Sequence, residues 1–235
     1  MKTVQLYCPK GGVGSTTLAA HFARYAARRG IATLAVSVDQ SGHLIELLDG
    51  RDESLVQDSV RQVEFNLTAM YCPYEVPDFA SLEVQPDLVV VDMKHDGREE
   101  QVLPPVDLWL VPITCGQSLR NFYSGMLTNR LGNHAQQTVV VPNRQSWGSS
   151  EVHDAKQLCT AGSVWEVHPV AIPDAGSFST AGLRGTSVWD TRFKRSWSAR
   201  RLAEWAEHTL VLVGLALPIP FPFYPTTSAT PSKEL

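Results

Sequence analysis

The sequence predicts a three-layer α/β fold: a mostly parallel, twisted sheet with helices on both faces. Two observations carry this. Apolar strand-like runs alternate with helix-like stretches along the chain. The runs are nearly continuous in Val and Leu, as expected of strands buried on both faces between helical layers. The elements follow in order. Lys2–Cys8 is β-prone and apolar enough for a buried first strand. A glycine-rich turn follows it. Residues 16–29 then read as a helix, with Leu18, Phe22, Tyr25 and Ala26 on one apolar face. Arg28 and Arg29 suit the negative end of that helix, and Gly30 suits its stop. Thr33–Val38 is a second strand, Asp87–Asp92 a third, Leu108–Ile113 a fourth, Gln137–Val141 a fifth and Val164–Val170 a sixth. Between them, Asp49–Gln85 is less periodic and reads as a short helix with loops. Ser198–Leu212 is a helix whose Leu202, Trp205, Ala206, Thr209, Leu210 and Val213 recur at helical spacing and read as core. Residues 1–217 make one domain. The Pro-, Ser- and Thr-rich stretch Pro218–Leu235 is expected to be a mobile or surface-draped tail, whose Ile219, Phe221, Phe223 and Tyr224 offer docking side chains.

Composition bounds the function. The chain has 235 residues and 43% hydrophobic content, enough for one full core. A net charge of −4 gives no global sign of nucleic-acid binding. Cys8, Cys72, Cys115 and Cys159 lack metal spacing and form no disulfide framework, so a reducing cytosol is expected. The first residues enter a strand directly, so no signal peptide is expected. No apolar run reaches the length of a membrane span.

The turn after the first strand is Pro9-Lys10-Gly11-Gly12-Val13-Gly14-Ser15-Thr16-Thr17. Gly11, Gly12 and Gly14 let the backbone turn sharply and approach an anion without a Cβ clash. The following helix offers unpaired N–H groups and positive potential to a phosphate. Strand, glycine loop and helix therefore come in the order of a phosphate-binding loop. The usual pattern is G-x-x-x-x-G-K-[ST]. Here Gly14-Ser15-Thr16 stands where Gly-Lys-Thr is expected, and a lysine occurs early, at Lys10.

That arrangement resembles the deviant Walker A box, K-G-G-x-G-K-T-T, of the ParA/MinD family of dimeric P-loop ATPases; only Ser15 breaks the match. Serine at this place is similar to the CpaE/TadZ branch. The resemblance implies a P-loop NTPase fold, ATP and Mg²⁺ as cofactors, and a homodimer formed on nucleotide. It implies a cradle of Gly11, Gly12, Val13, Gly14, Ser15, Thr16 and Thr17. The Thr16 hydroxyl would ligate Mg²⁺, and Lys10 would reach across the dimer to the partner's phosphates. Serine keeps a donor at position 15 but loses the charge that lysine brings to the β- and γ-phosphates. ATP hydrolysis, which the family performs, is therefore left open.

Further segments extend the resemblance over residues 2 to 212. Asp39-Gln40-Ser41-Gly42 resembles the family's D-x-D-P-Q-G switch without its first aspartate and proline, which gives Asp39 the role of positioning water. Asp92, after an apolar run, resembles the Walker B carboxylate, which implies that it binds Mg²⁺ directly or through water. Met93-Lys94-His95-Asp96-Gly97 continues it as an altered second switch, in which Lys94 adds a positive charge and His95 reads as solvated. Asn143-Arg144 resembles the N-[RK] pair whose asparagine reads the adenine edge, and Ile172-Pro173-Asp174 the I-P segment that lies against the base. Ala181-Gly182-Leu183 and Gly185 resemble the stretch that carries partner surfaces.

Beyond it, Arg184, Arg192, Lys194, Arg195, Arg200 and Arg201 form a basic region against one acid, Asp190, interleaved with Trp189, Phe193 and Trp197. Such a region binds nucleic acid through phosphates without reading sequence; a solvated helical face is the alternative. Three readings follow. The first is a ParA-like switch for DNA or cargo partition, with nonspecific DNA and a ParB-like or adaptor protein as partners, cytoplasmic and nucleoid-associated. The second is a weakly or non-hydrolysing TadZ/CpaE-like localisation scaffold. The third is a MinD-like membrane positioning protein, disfavoured because a neutral, proline-rich tail stands where a basic amphipathic helix would.

Overall fold

The structure is a computed structural model, and it describes residues 1–8, 11–38, 40–50, 57, 59–74, 77–82, 85–93, 105–114, 135–144, 157, 165–182 and 184–215. Among the described residues, one sheet of eight strands organises the chain. The strands are β1 (Lys2–Leu6), β2 (Thr33–Val38), β3 (Val60–Glu64), β4 (Leu67–Tyr71), β5 (Leu88–Met93), β6 (Val106–Ile113), β7 (Ala135–Pro142) and β8 (Glu166–Val167). Their spatial order is β3-β4-β2-β5-β1-β6-β7-β8. All neighbours run parallel except β3 and β4. The chain passes from β1 to β2 on one side, and β6 lies on the other. The carboxyl end of β1 therefore lies at a topological switch point, where α/β sheets bind ligands.

Four α-helices are described: α1 (Ser15–Arg28), α2 (His43–Asp49), α3 (Gly176–Gly182) and α4 (Trp197–Leu212). All four contribute to one core with Val4, Leu6, Ala35, Leu88, Val90, Leu108 and Leu110 of the sheet. The expected face of α1 is buried there, and so is the expected stripe of α4. Phe22 meets Trp205 edge-on at 5.6 Å, which locks α1 to α4. Ser196 caps α4, accepting from the Ala199 N–H. Gly30, at φ +84°, follows the end of α1 as expected. On the opposite face Tyr7, Val36, Val89, Val91, Trp109 and Val140 form a second core, with Phe79 of a 3₁₀ turn packed into it. The 115–134 and 145–156 stretches lie outside the described residues, as does the predicted tail.

The structure corrects the stretch Asp49–Gln85. Where only a short helix and loops are expected, its described residues hold the antiparallel hairpin β3–β4 together with the 3₁₀ turn Phe79–Ser81. The hairpin turns at Phe65–Asn66, with Asn66 at φ +62°. Asparagine tolerates that left-handed conformation better than most residues. The predicted sixth strand shortens to Glu166–Val167 at the sheet edge.

Candidate nucleotide site

The glycine loop joins β1 to α1 at the carboxyl edge of the sheet. Gly12 and Gly14 have φ values of +76° and +88°, the left-handed region where a side chain is strained. At Gly14 there is a second reason for glycine: an added Cβ would stand 2.7 Å from Asn143 Nδ2. Val13 is buried beneath the loop, whereas Gly11 and Gly12 are exposed and Ser15, Thr16 and Thr17 half-buried. α1 begins at Gly14 with no side-chain cap and no acidic residue in its first turn. Its first amides therefore remain for an outside acceptor, and the helix dipole adds positive potential.

Asn143 follows β7 directly beside this loop. Its Nδ2 donates to the Val13 carbonyl at 2.6 Å, and its Oδ1 accepts from the Arg144 N–H at 2.9 Å. The side chain is buried and braces the loop. Arg144 is exposed, in a left-handed conformation at φ +54°. The Ile172 N–H donates to the Pro142 carbonyl at 2.8 Å, so the Ile172-Pro173-Asp174 turn docks on the same strand end. Pro173 is buried and Asp174 exposed. Asp92 sits near the carboxyl end of β5, 1% exposed, in register with Leu6 of β1 and Ser37 of β2. The fold thus gathers at one edge the glycine loop, Thr16, Asp92, Asn143 and the Ile172–Asp174 turn. Ser37 was not singled out from the sequence; it is fully buried and stands in register with Asp92 across the β2–β5 pair. Lys10, Asp39, Lys94 and His95 lie outside the described residues.

α1 also carries a polar stripe, His21, Arg24 and Arg28, that docks the segment before the basic region. The Val188 N–H donates to His21 Nε2 at 3.3 Å, while His21 Nδ1 lies 2.9 Å from the Thr17 carbonyl. These bonds place the proton on Nδ1 and leave Nε2 as acceptor. Burial first, then the Arg24 and Arg28 charges, hold His21 down to about 4 against the opposing bond to Thr17. Arg24 Nη2 donates to the Gly185 carbonyl at 2.6 Å and to the Leu48 carbonyl, and Arg24 Nη1 pairs with Glu64 at 3.1 Å. Arg28 donates to Ser187 Oγ at 3.0 Å and to Asp190 Oδ2 at 2.7 Å. Burial raises the Asp190 carboxyl, but bonds from Arg28 and Ser187 outweigh it and hold the group at about 2. A single sequence cannot signal this clamp, because helical arginines at such spacing are usually solvated.

The basic residues divide. Arg184 is exposed on the turn after α3; Arg192, Lys194 and Arg195 are exposed on the turn before α4; Arg200 is exposed and Arg201 half-buried on α4 itself. Arg201 is paired with Glu204, and Asp190 faces Arg28. Gly182 and Gly185, expected near partner surfaces, pack against Leu47 and Gly50 within the chain. Leu183 lies outside the described residues. Among the described residues no helix is long and apolar enough to cross a membrane.

A glycine loop at the switch point of this sheet, leading into an uncapped helix, defines a P-loop NTPase fold. The CbiA family, the CobQ/CobB/MinD/ParA nucleotide binding domain, matches residues 7–214, and the chain belongs to it. Solved structures share the fold at low identity. The MinC:MinD cell division protein complex of Aquifex aeolicus matches with a TM-score of 0.69 at 18% identity, over 94% of this chain and 99% of that one. The septum site-determining protein MinD of Pyrococcus horikoshii OT3, complexed with Mg-ADP, gives 0.66 at 16% identity, over 91% and 97%. A putative plasmid partition protein of Borrelia burgdorferi B31, bound to AMPPNP, gives 0.64 at 12% identity, over 88% and 99%. No curated protein sequence matches the chain.

Proposed function

We propose that this chain is a ParA-like nucleotide switch for partitioning DNA or another cargo. The observation that carries the reading is the double role of α1. Its first turn opens at the glycine loop, and its polar stripe holds the segment 185–190 that leads into the basic turn. One rigid helix thus joins a phosphate cradle to a cationic surface.

The residues fit a nucleotide with Mg²⁺. The first-turn amides of α1 and the Gly12–Gly14 backbone would cradle phosphates, and Thr16 and Asp92 would hold the metal. Asn143, Arg144, Pro173 and Asp174 would flank the base, with Asn143 bracing the loop. When bound, Mg²⁺ supplies charge neutralisation at the phosphates. Lys10 and Asp39 keep the roles that the family resemblance gives them. Arg184, Arg192, Lys194, Arg195, Arg200 and Arg201 would contact DNA phosphates on a nucleotide-closed dimer, with a ParB-like or adaptor protein as regulator, in the cytoplasm near the nucleoid.

The test is DNA binding by fluorescence anisotropy with Mg-ATP, with Mg-ADP and with neither, across a salt series. The reading expects binding that needs ATP and falls steeply with salt. Lys194→Glu with Arg195→Glu should weaken it on all sequences and reduce the salt slope by about one per removed contact. DNA binding indifferent to nucleotide, or to these reversals, contradicts it. Ser15 favours a second reading, a TadZ/CpaE-like scaffold that binds nucleotide and turns over slowly or not at all, because it removes the loop charge.

A further inference from the structure

The basic turn contains two features that phosphate contacts do not need. Phe193, on the turn before α4, and Trp197, at the start of α4, are 37% and 41% exposed, whereas Leu202, Trp205, Ala206 and Leu210 of α4 are buried. The Arg192 guanidinium lies over the Phe193 ring at 4.9 Å, holding a cation against an aromatic face. Between Thr191 and Ala203 there are five basic residues and no acidic one. The nearest preceding acid, Asp190, is turned onto Arg28. The platform is firmly seated. Its leading edge is held by His21, Arg24 and Arg28, Trp189 donates from Nε1 to the Ala199 carbonyl at 3.2 Å, and Ser196 caps the helix that carries Trp197.

We infer that this turn is a stacking platform for single-stranded nucleic acid, with Phe193 and Trp197 taking unpaired bases while Arg192, Lys194 and Arg195 take the phosphates. The inference rests on the DNA-binding reading of the same region and adds the kind of strand it prefers. Duplex DNA presents phosphates to the cations but keeps its base faces stacked internally, so the two rings gain little there. An unpaired strand offers both, and stacking on aromatic rings is tolerant of sequence. A lipid surface fits less well. Membrane binding scales with inserted apolar area, and Leu202, Trp205, Ala206 and Leu210 of α4 are fully buried in the core.

The experiment compares a labelled oligothymidylate with a duplex of equal length, at low and moderate salt, with Mg-ATP present throughout. The full chain is compared with Phe193→Ala/Trp197→Ala, Phe193→Tyr/Trp197→Phe and Lys194→Glu/Arg195→Glu. Wild type should favour the single strand by about tenfold. The alanine pair should lose that preference while keeping duplex affinity, the aromatic pair should restore it, and the charge-reversed pair should lose both ligands. Thermal melts check that each variant is folded. Duplex binding with no single-strand preference, or a preference indifferent to the alanine pair, overturns the platform and leaves the DNA-binding reading intact. Binding to neither nucleic acid overturns both. An arm with vesicles of anionic and neutral phospholipid completes the test: vesicle binding that depends on the rings, with nucleic-acid binding unchanged by the alanine pair, assigns the rings to a membrane and overturns the inference.

Discussion

Arg24 Nη2 donates to the backbone carbonyl of Gly185 at 2.6 Å, tying the helix after the glycine loop to the turn that leads into the basic region. The same guanidinium reaches the Leu48 carbonyl and Glu64, so α1, α2, β3 and the 185–190 turn meet at one buried side chain. The bond to Leu48 is buried, and those to Gly185 and Glu64 are partly buried. Arg24→Met preserves most of the volume and removes every bond. It should destabilise the protein by about 3 kcal/mol, the usual result of removing one partner of a buried pair. Arg24→Lys, with a single charged head, should recover part of the loss. Chemical denaturation of the three proteins reads this directly, and equal midpoints contradict the clamp.

Gly185 and Gly50 touch through their backbones. A Cβ on Gly185 would lie 2.5 Å from the Gly50 nitrogen, and both glycines have positive φ, at +60° and +66°. Neither clash can be relieved by a rotamer change, since the opposing atoms are backbone. Gly185→Ala should therefore cost roughly 3 kcal/mol, more than the ordinary penalty of about 1 kcal/mol for a side chain in the left-handed region. Differential scanning calorimetry gives the result, with Gly176→Ala as control because an added Cβ there meets nothing within 4 Å.

Acid should loosen the fold through its buried histidines. An unfolded histidine protonates near 6.5, whereas His21 in the fold resists protonation down to about 4 and His168 to about 3. In both, burial is the leading cause; at His168 the neighbouring His208 adds to it. The unfolded chain thus binds more protons below 6.5, and stability falls as pH falls. The contribution of neutral His21 is fully present above 6.5 and is lost toward pH 4, by roughly 3 kcal/mol. Urea midpoints measured across that window should decline, and His21→Gln should flatten part of the slope. A slope unchanged by His21→Gln contradicts the assignment.

Ser15 replaces the lysine of the family box, and the remaining cradle is backbone. Ser15→Lys returns a positive charge to the first turn of α1, next to the glycine loop. It should tighten ATP by about tenfold, the scale of a charge-assisted contact. Competition with a fluorescent ATP analogue measures this, and no gain contradicts a family-like phosphate position.

Most of the central fold was legible in the sequence because its strands are buried on both faces. Thr33–Val38 has the bounds expected of it, and β1 and β5 agree within one or two residues. The β3–β4 hairpin was not legible: Arg61, Gln62 and Glu64 make β3 look like loop, since a half-exposed edge strand has no apolar run to show. Its one local signal was Asn66, at the turn. At the site, Gly12, Gly14 and Asp92 could be placed because their reasons are local: a positive φ, or a carboxylate closing an apolar strand. The bracing role of Asn143 depends on a contact 130 residues away in sequence, and the clamp joins residues 159 to 167 apart. Contacts of that range leave no periodicity to read.

The account stands most directly on nucleotide occupancy of the glycine loop. Calorimetric titration of Mg-ATP into the protein, alongside Mg-ADP and with Gly14→Ala as the disabled site, measures it. The account predicts micromolar binding by the native chain, and loss of that binding when a Cβ at position 14 collides with Asn143. Absence of heat at millimolar ATP, or binding unchanged by Gly14→Ala, would contradict it.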